Sequence, residues 1–374
     1  MKCRAAVLHN MGEPRPYAET KPVKIEEIEL LDPGPGEVLV RMVSAGLCHS
    51  DLSVVNGSRP RDLPMVLGHE GSGVIEAVGP GVDELRVGDH VVYVFVPSCG
   101  HCVPCAEGRP ALCEPGAKAA AAGTLLSGGR RIKLNGEPIN HQVGVSCFAE
   151  YAVSSTRSLV RVDPEIPLDQ AALFGCAVIT GMGAVVNTAK VRPGATVAVI
   201  GLGGTGLAAV LGARAAGASR VIGLDLLDSK LESGRQIGVD DAVNAGDPDV
   251  IETVREMTAG GVEYAFECVG SAKAMELAYA ITRRGGTTTT SGLPPPDAKI
   301  AVPHVQLVAE ERTVKGSYLG SCVPRRDIPA YIELFRAGRL PIDRLVSDHL
   351  PLDKINEGFD RLDDGDTIRQ MIAF

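Results

Sequence analysis

Gly201-Leu202-Gly203-Gly204-Thr205-Gly206 directly follows a strand-like run, Thr196–Ile200, and opens a segment of helical length, an order that few folds accept. Gly201 permits the tight turn. Gly203 lets the backbone approach a pyrophosphate at the positive end of the helix, Gly204 continues the same small-residue loop, and Gly206 lets helix and strand pack closely. Nineteen residues after Gly206, at the end of the next strand-like run, stands Asp225. A carboxylate there accepts hydrogen bonds from ribose hydroxyls and repels a 2′-phosphate, so NAD is expected over NADP. Leu226-Leu227 supplies no arginine to reverse that preference.

Around this loop, strand-length runs alternate with helix-length segments. Thr196–Ile200, Val221–Leu224, Tyr264–Glu267 and Thr287–Thr290 read as strands, with Thr205–Ala216, Lys230–Ile237, Asp249–Thr258 and Ala272–Thr282 as helices. That alternation is the mark of an α/β doubly wound parallel sheet. From about Glu37 to Val96 the pattern changes to short β-type runs, Val38–Val43, Gly73–Val78 and His90–Val96, cut by Gly and Pro, which suggests an irregular, mostly antiparallel domain. The last 55 or so residues lose the alternation, and a terminal segment of that kind often returns to an earlier domain. The expected division is a catalytic domain at 1–177, a dinucleotide-binding domain at 178–319 and a return at 320–374, with ligands in a cleft between the domains.

The chain has 374 residues and a net charge of -9, so a basic nucleic-acid-tracking surface is excluded and small-molecule partners are expected. Met1–Val7 lacks a signal peptide's long apolar stretch, and no run approaches the roughly 18 apolar residues of a membrane span. Ten cysteines in such a chain are better explained by metal ligation and buried thiols than by disulfides, which gives the expectation of a cytoplasmic protein with no membrane partner.

Cys99, Cys102, Cys105 and Cys113 have the spacing Cys-x2-Cys-x2-Cys-x7-Cys, which can close a structural zinc site from one short segment. An iron–sulfur cluster is the main rival. Its common bacterial spacing ends with a three-residue gap and a Pro, whereas here the gap is seven and Glu114 follows. Cys48, His69 and Cys176 form a second set, Cys2His, of the type that holds a catalytic zinc and leaves its fourth position to water or substrate. Asp51 and Glu70 lie beside two of these ligands, and Asp51 is placed to hold the second ring nitrogen of His69. Two zinc ions per chain are expected.

Together, Gly46–Asp51, Gly68–Gly71, the four-cysteine lobe, Gly175–Ala177, Gly201–Gly206 and Thr367–Arg369 make the chain similar over its whole length to the zinc-dependent alcohol dehydrogenases of the medium-chain dehydrogenase/reductase superfamily. The resemblance implies a GroES-like catalytic domain beside a Rossmann domain. It also implies reversible oxidation of primary or aromatic alcohols to aldehydes or ketones, with hydride passing to NAD. Gly123–Cys147 resembles the longer loop of the animal- and plant-type branch, which implies a homodimer. By the same resemblance Ser50 accepts the substrate proton, His49 and Arg369 contact the cofactor pyrophosphate, Lys230 lies near the adenosine ribose and Phe95 lines the substrate pocket.

Two departures bear on activity. Ser53 stands where many relatives carry a His that passes the proton to solvent. The thiol-adduct formaldehyde dehydrogenases carry an Arg soon after the last lobe cysteine, whereas this chain reads Glu114-Pro115-Gly116-Ala117-Lys118. That reading therefore stands second. A third, a catalytically silent NAD- or redox-sensing protein, has no use for an open metal site.

Overall fold

Glu37–Gly46 is the longest strand of the first unit and pairs along both edges. The computed structural model describes residues 1–374, which divide into Met1–Cys176 with Val323–Ala330 and Val346–Phe374, and Ala177–Cys322 with Tyr331–Leu345. In the first unit Gly71–Val78 lies antiparallel on one edge of Glu37–Gly46. Tyr151–Ser155 and Arg369–Ala373 share the other edge in succession.

The register brings three distant segments to one end of this sheet. Ala45 faces Gly71 and Gly46 faces Met371, so the chain leaves the sheet at Leu47–Cys48, enters it from His69–Glu70 and re-enters it at Arg369–Gln370. Backbone bonds hold the junction: Gly46 N–H donates to the Glu70 carbonyl (3.0 Å) and Leu47 N–H to that of Gln370 (2.9 Å). Alternating side chains of the sheet, among them Val38, Val40, Met42, Ile75, Val91 and Tyr93, bury one apolar face with Phe148 and Phe359. A second sheet of the same unit is built around Lys2–Leu8 and Val23–Leu30. Gly123–Cys147 adds three short strands to it, Ile132–Leu134, Glu137–Pro138 and Asn140–His141.

The second unit is a six-stranded parallel sheet in the order Asp241–Asn244, Arg220–Asp225, Thr196–Ile200, Val262–Glu267, Thr282–Thr290, Thr313–Gly316. Thr196–Ile200 and its two neighbours are almost wholly buried, as strands covered on both faces must be. The two outermost strands are absent from the sequence reading. Asp241–Asn244 and Thr313–Gly316 are four residues each, with one buried position between them, so neither carries the apolar run that marks an inner strand.

The terminal return also differs from the expected 320–374. It consists of Val323–Ala330 and Val346–Phe374, while Tyr331–Leu345 stays with the parallel sheet. Ile342 and Leu345 are fully buried, and the turn that carries them packs on the helix Gly204–Ala215. No single helix is long and apolar enough to cross a membrane.

His141 links the added strands to the first unit's core. It is fully buried; its Nε2 accepts from Arg131 N–H (3.0 Å) and its Nδ1 faces the Val145 carbonyl (3.4 Å), which defines a neutral ring with the proton on Nδ1. Burial pushes its pKa down to about 4. The unfolded chain binds this proton near pH 6.5 and the folded chain does not, so the stability the ring contributes is present above pH 6.5 and is lost as the pH falls toward 4. Denaturant unfolding at pH 7 and pH 5 should show a loss of about 2 kcal/mol that is missing in His141→Gln. Equal pH dependence in the two proteins contradicts this account.

Candidate metal centre and dinucleotide loop

Cys48 follows the strand Glu37–Gly46 by two residues and caps the helix His49–Val55. The Asp51 carboxylate lies in the first turn, where it accepts from Cys48 N–H (3.1 Å) through one oxygen and faces His69 Nδ1 (2.7 Å) through the other. Asp51 is fully buried, so its charge is held by these contacts and not by water. With Nδ1 committed, His69 turns Nε2 toward Cys176 Sγ, 3.4 Å away. A tetrahedral zinc with Zn–S near 2.3 Å and Zn–N near 2.05 Å sets its S and N ligands about 3.5 Å apart. The ligand atoms of Cys48, His69 and Cys176 all lie within 4.8 Å of one another.

The three ligand groups titrate as one coupled set. The bond from Cys176 pulls the Cys48 thiol well down, and Arg369 and His69 add to the effect. The same contact pushes Cys176 up. Burial alone lowers His69, but Asp51 and then Cys48 raise it well above its ordinary value. The ligands thus share protons that a divalent ion displaces, and the donor set fits zinc.

Glu70 and Arg369 complete the surroundings. Glu70 is fully buried, and burial raises it to about 7. A Cβ at Gly46 would stand 2.1 Å from Glu70 Oε1, so any larger residue there must displace the Glu70 carboxyl. Arg369 is buried beside it. It is 3% exposed, donates to the Leu47 carbonyl (2.7 Å) and lies 3.4 Å from Glu70 Oε1. The cause is electrostatic, because a carboxylate and two thiols buried together draw the guanidinium inward. Phe95 is half-buried and sets its ring edge-on to His69 at 5.3 Å. His49 is exposed and Ser50 half-buried on the helix's first turn, and the Ser53 hydroxyl donates to the His49 carbonyl (2.7 Å).

The four lobe cysteines also converge within 4.8 Å. Cys102 and Cys113 sulfurs are 3.9 Å apart, against about 3.8 Å for two thiolates on tetrahedral zinc. Backbone amides point at the sulfurs: Cys99 and Gly116 donate to Cys113, and His101 and Cys102 donate to Cys99. Although burial opposes it, those two amides bring Cys99 down to about 6.

In the second unit Gly201 has φ 87°, Gly203 has open space where a Cβ would stand, and a Cβ at Gly206 would strike the Gly201 carbonyl. Gly204 begins the helix Gly204–Ala215. Asp225 accepts from Leu202 N–H (2.8 Å) and Leu227 N–H (3.1 Å) and remains half-exposed, with acceptor capacity left for hydroxyls. Lys230 is buried on the following helix.

The sequence reading missed Leu226, Val269 and Glu267. Leu226 (67% exposed) and Val269 (54%) present apolar surface beyond the two strands that flank Thr196–Ile200. Glu267 is buried and accepts from Val269 N–H, Gly270 N–H and the Thr290 hydroxyl. An apolar pair directly after Asp225 was the available signal for Leu226, whereas nothing local marks Glu267.

Residues 34–164 match the family model of the alcohol dehydrogenase GroES-like domain, and residues 204–337 that of the zinc-binding dehydrogenases. Among solved structures, an alcohol dehydrogenase zinc-binding domain protein from Burkholderia ambifaria is 36% identical, with a TM-score of 0.94 over 100% of this chain and 99% of its own. Benzyl alcohol dehydrogenase from Acinetobacter calcoaceticus is 32% identical, with a TM-score of 0.93 over 100% and 99%. The alcohol dehydrogenase TADH from Thermus sp. ATN1 is 29% identical, with a TM-score of 0.82 over 99% of each chain.

Metal analysis of chelator-free protein should return close to two zinc equivalents. Cys176→Ala and Cys102→Ser should each retain about one, and only Cys102→Ser should lower thermal stability markedly. One equivalent in the unmutated protein, or iron, is incompatible with the two sites.

Proposed function

Because the chain belongs to the zinc-binding alcohol dehydrogenase family, we propose that it is an NAD-linked enzyme that interconverts primary or aromatic alcohols and their aldehydes. The observation that carries this reading is the set Cys48, His69 and Cys176, with Asp51 holding the imidazole tautomer. Three protein donors leave one position of a tetrahedral zinc to a substrate oxygen. Zinc held there supplies Lewis acidity, which lowers the pKa of an alcohol hydroxyl.

The chain's own residues perform the remaining tasks. The Ser50 hydroxyl, two residues after Cys48, accepts the proton of the alcohol as it gives up its own, so that it relays the proton and does not hold it. Phe95 gives the substrate an aromatic wall, in keeping with the 32% identity to a benzyl alcohol dehydrogenase. Gly201–Gly206 receives the pyrophosphate, with His49 as a further contact, and Asp225 takes the adenosine ribose hydroxyls, with Lys230 on the helix beside it.

A second copy of the chain is the expected partner. Val305 and Val308 are 73% and 68% exposed on the helix His304–Ala309, next in sequence to the edge strand Thr313–Gly316. An apolar edge of that kind is stabilised by pairing with another. The resemblance of Gly123–Cys147 to the loop of the long-loop branch, whose members are typically dimers, supports the same reading.

With benzyl alcohol, NADH should form, and kcat/KM should favour NAD over NADP by at least roughly tenfold, or about 1.4 kcal/mol. Asp225→Gly should weaken NAD and admit NADP. Turnover of formaldehyde only with a thiol carrier would instead support the thiol-adduct reading, and a preference for NADP would remove the role given to Asp225.

Ser53 generates a separate expectation. Its hydroxyl is engaged by the His49 carbonyl and has no basicity near neutral pH, whereas an imidazole titrates near pH 6.5. Ser53→His should raise alcohol oxidation near pH 7 where proton transfer limits turnover, with less effect near pH 9. An unchanged pH–rate profile, with a primary isotope effect showing chemistry to be limiting, places the proton exit elsewhere, with His49 the first candidate.

A further inference from the structure

A rim of hydrogen bonds runs along the carboxyl ends of the parallel strands, away from the adenosine side marked by Asp225. Cys268 N–H donates to the Ile200 carbonyl (2.9 Å), the Thr290 hydroxyl to Glu267 (2.5 Å) and Ser317 N–H to the Thr290 carbonyl (2.8 Å). The rim ends in the turn that follows the edge strand Thr313–Gly316. There Leu319, Gly320 and Ser321 have φ values of 49°, 63° and 49°. A leucine and a serine on either side of a glycine, both in the left-handed region, are a strained arrangement, which persists only where the surroundings enforce it.

The enforcement comes from a π-helical turn, Ala184–Ala189, itself a rare element that concentrates at functional sites. The Asn187 carboxamide nitrogen lies 3.4 Å from the Gly320 carbonyl, 3.2 Å from Cys322 Sγ and 3.3 Å from the Tyr331 hydroxyl. The Thr188 hydroxyl bridges Ser317 and Ser321, at 2.8 Å to each, and Lys315 Nζ donates to the Thr188 carbonyl (3.1 Å). No Cβ fits on Gly183 or Gly320, where the two backbones meet. Ser317 is buried and Tyr318, between it and the strained residues, is 40% exposed.

A doubly wound sheet binds a dinucleotide across the point where strand order reverses, one mononucleotide over each half. Here the order reverses beside Thr196–Ile200, so the half distal to Asp225 lies over Val262–Glu267, Thr282–Thr290 and Thr313–Gly316. We propose that Asn187 and Thr188 are positioning residues that hold the Ser317–Ser321 turn in the shape that receives the nicotinamide half of NAD. The proposal rests on the dinucleotide reading given above. It assigns to the π-helical turn a role in cofactor affinity that is confined to one end of the ligand.

Titration with NADH and with ADP-ribose, which lacks the nicotinamide, separates the two ends. Thr188→Val should weaken NADH by about tenfold and leave ADP-ribose within about twofold of the unmutated protein, and Thr188→Ser should restore NADH binding. Asn187→Ala removes a different set of contacts and should give the same split, so it decides the matter where Thr188→Val does not fold. Equal effects on both ligands, or no effect on NADH, overturn the positioning role. An unmutated protein that binds neither ligand overturns the dinucleotide reading and this proposal with it.

Discussion

Buried charge around Cys48 is the constraint on which the first unit depends. Two thiols, the Asp51 and Glu70 carboxyls and one imidazole are enclosed with a single guanidinium, that of Arg369. Such a cluster is tolerable only when each group has a partner of opposite charge or a donor. His69 and the Cys48 amide face Asp51, and Arg369 stands beside Glu70. The acidic groups still outnumber the fixed cation, and a divalent ion among Cys48, His69 and Cys176 restores the balance. Gly46 fits the same picture, since its missing side chain is what makes room for Glu70.

The glycine-rich loop was legible because each glycine answers a local requirement: a positive φ at Gly201, open space at Gly203 and contact with a carbonyl at Gly206. The inner strands were legible for a similar reason, since burial on both faces demands an apolar run. Asp241–Asn244 and Thr313–Gly316 escaped because an edge strand is held mainly by backbone pairing, which has no side-chain signature. Arg369 was legible as a motif residue but not in its contacts. Its carbonyl partner lies 322 positions away, and only the pairing of Arg369–Ala373 with Glu37–Gly46 brings the two together.

The two units achieve rigidity by different means. In the first, polar groups from separate segments converge and hold one another. In the second, a regular sheet supplies the frame, with left-handed residues both in the turns that enter its strands, at Gly194, Gly217 and Ala259–Gly261, and along the rim beyond its carboxyl ends. Gly201, Gly270 and Gly320 all sit in left-handed conformations along that rim. For glycine that conformation carries no steric cost; at Leu319 and Ser321 on the same rim it does, and there the contacts of Asn187 and Thr188 hold it.

The shared edge of Glu37–Gly46 has a consequence for biosynthesis. Arg369–Ala373 occupies the Ser44–Gly46 part of that edge, yet it is translated after the whole parallel sheet. During synthesis the second unit has all its strands available while the first still presents unpaired backbone groups beside Cys48, a template for association with other nascent chains. Only once Arg369–Ala373 has left the ribosome does that edge close, and the same pairing delivers Arg369 to Glu70.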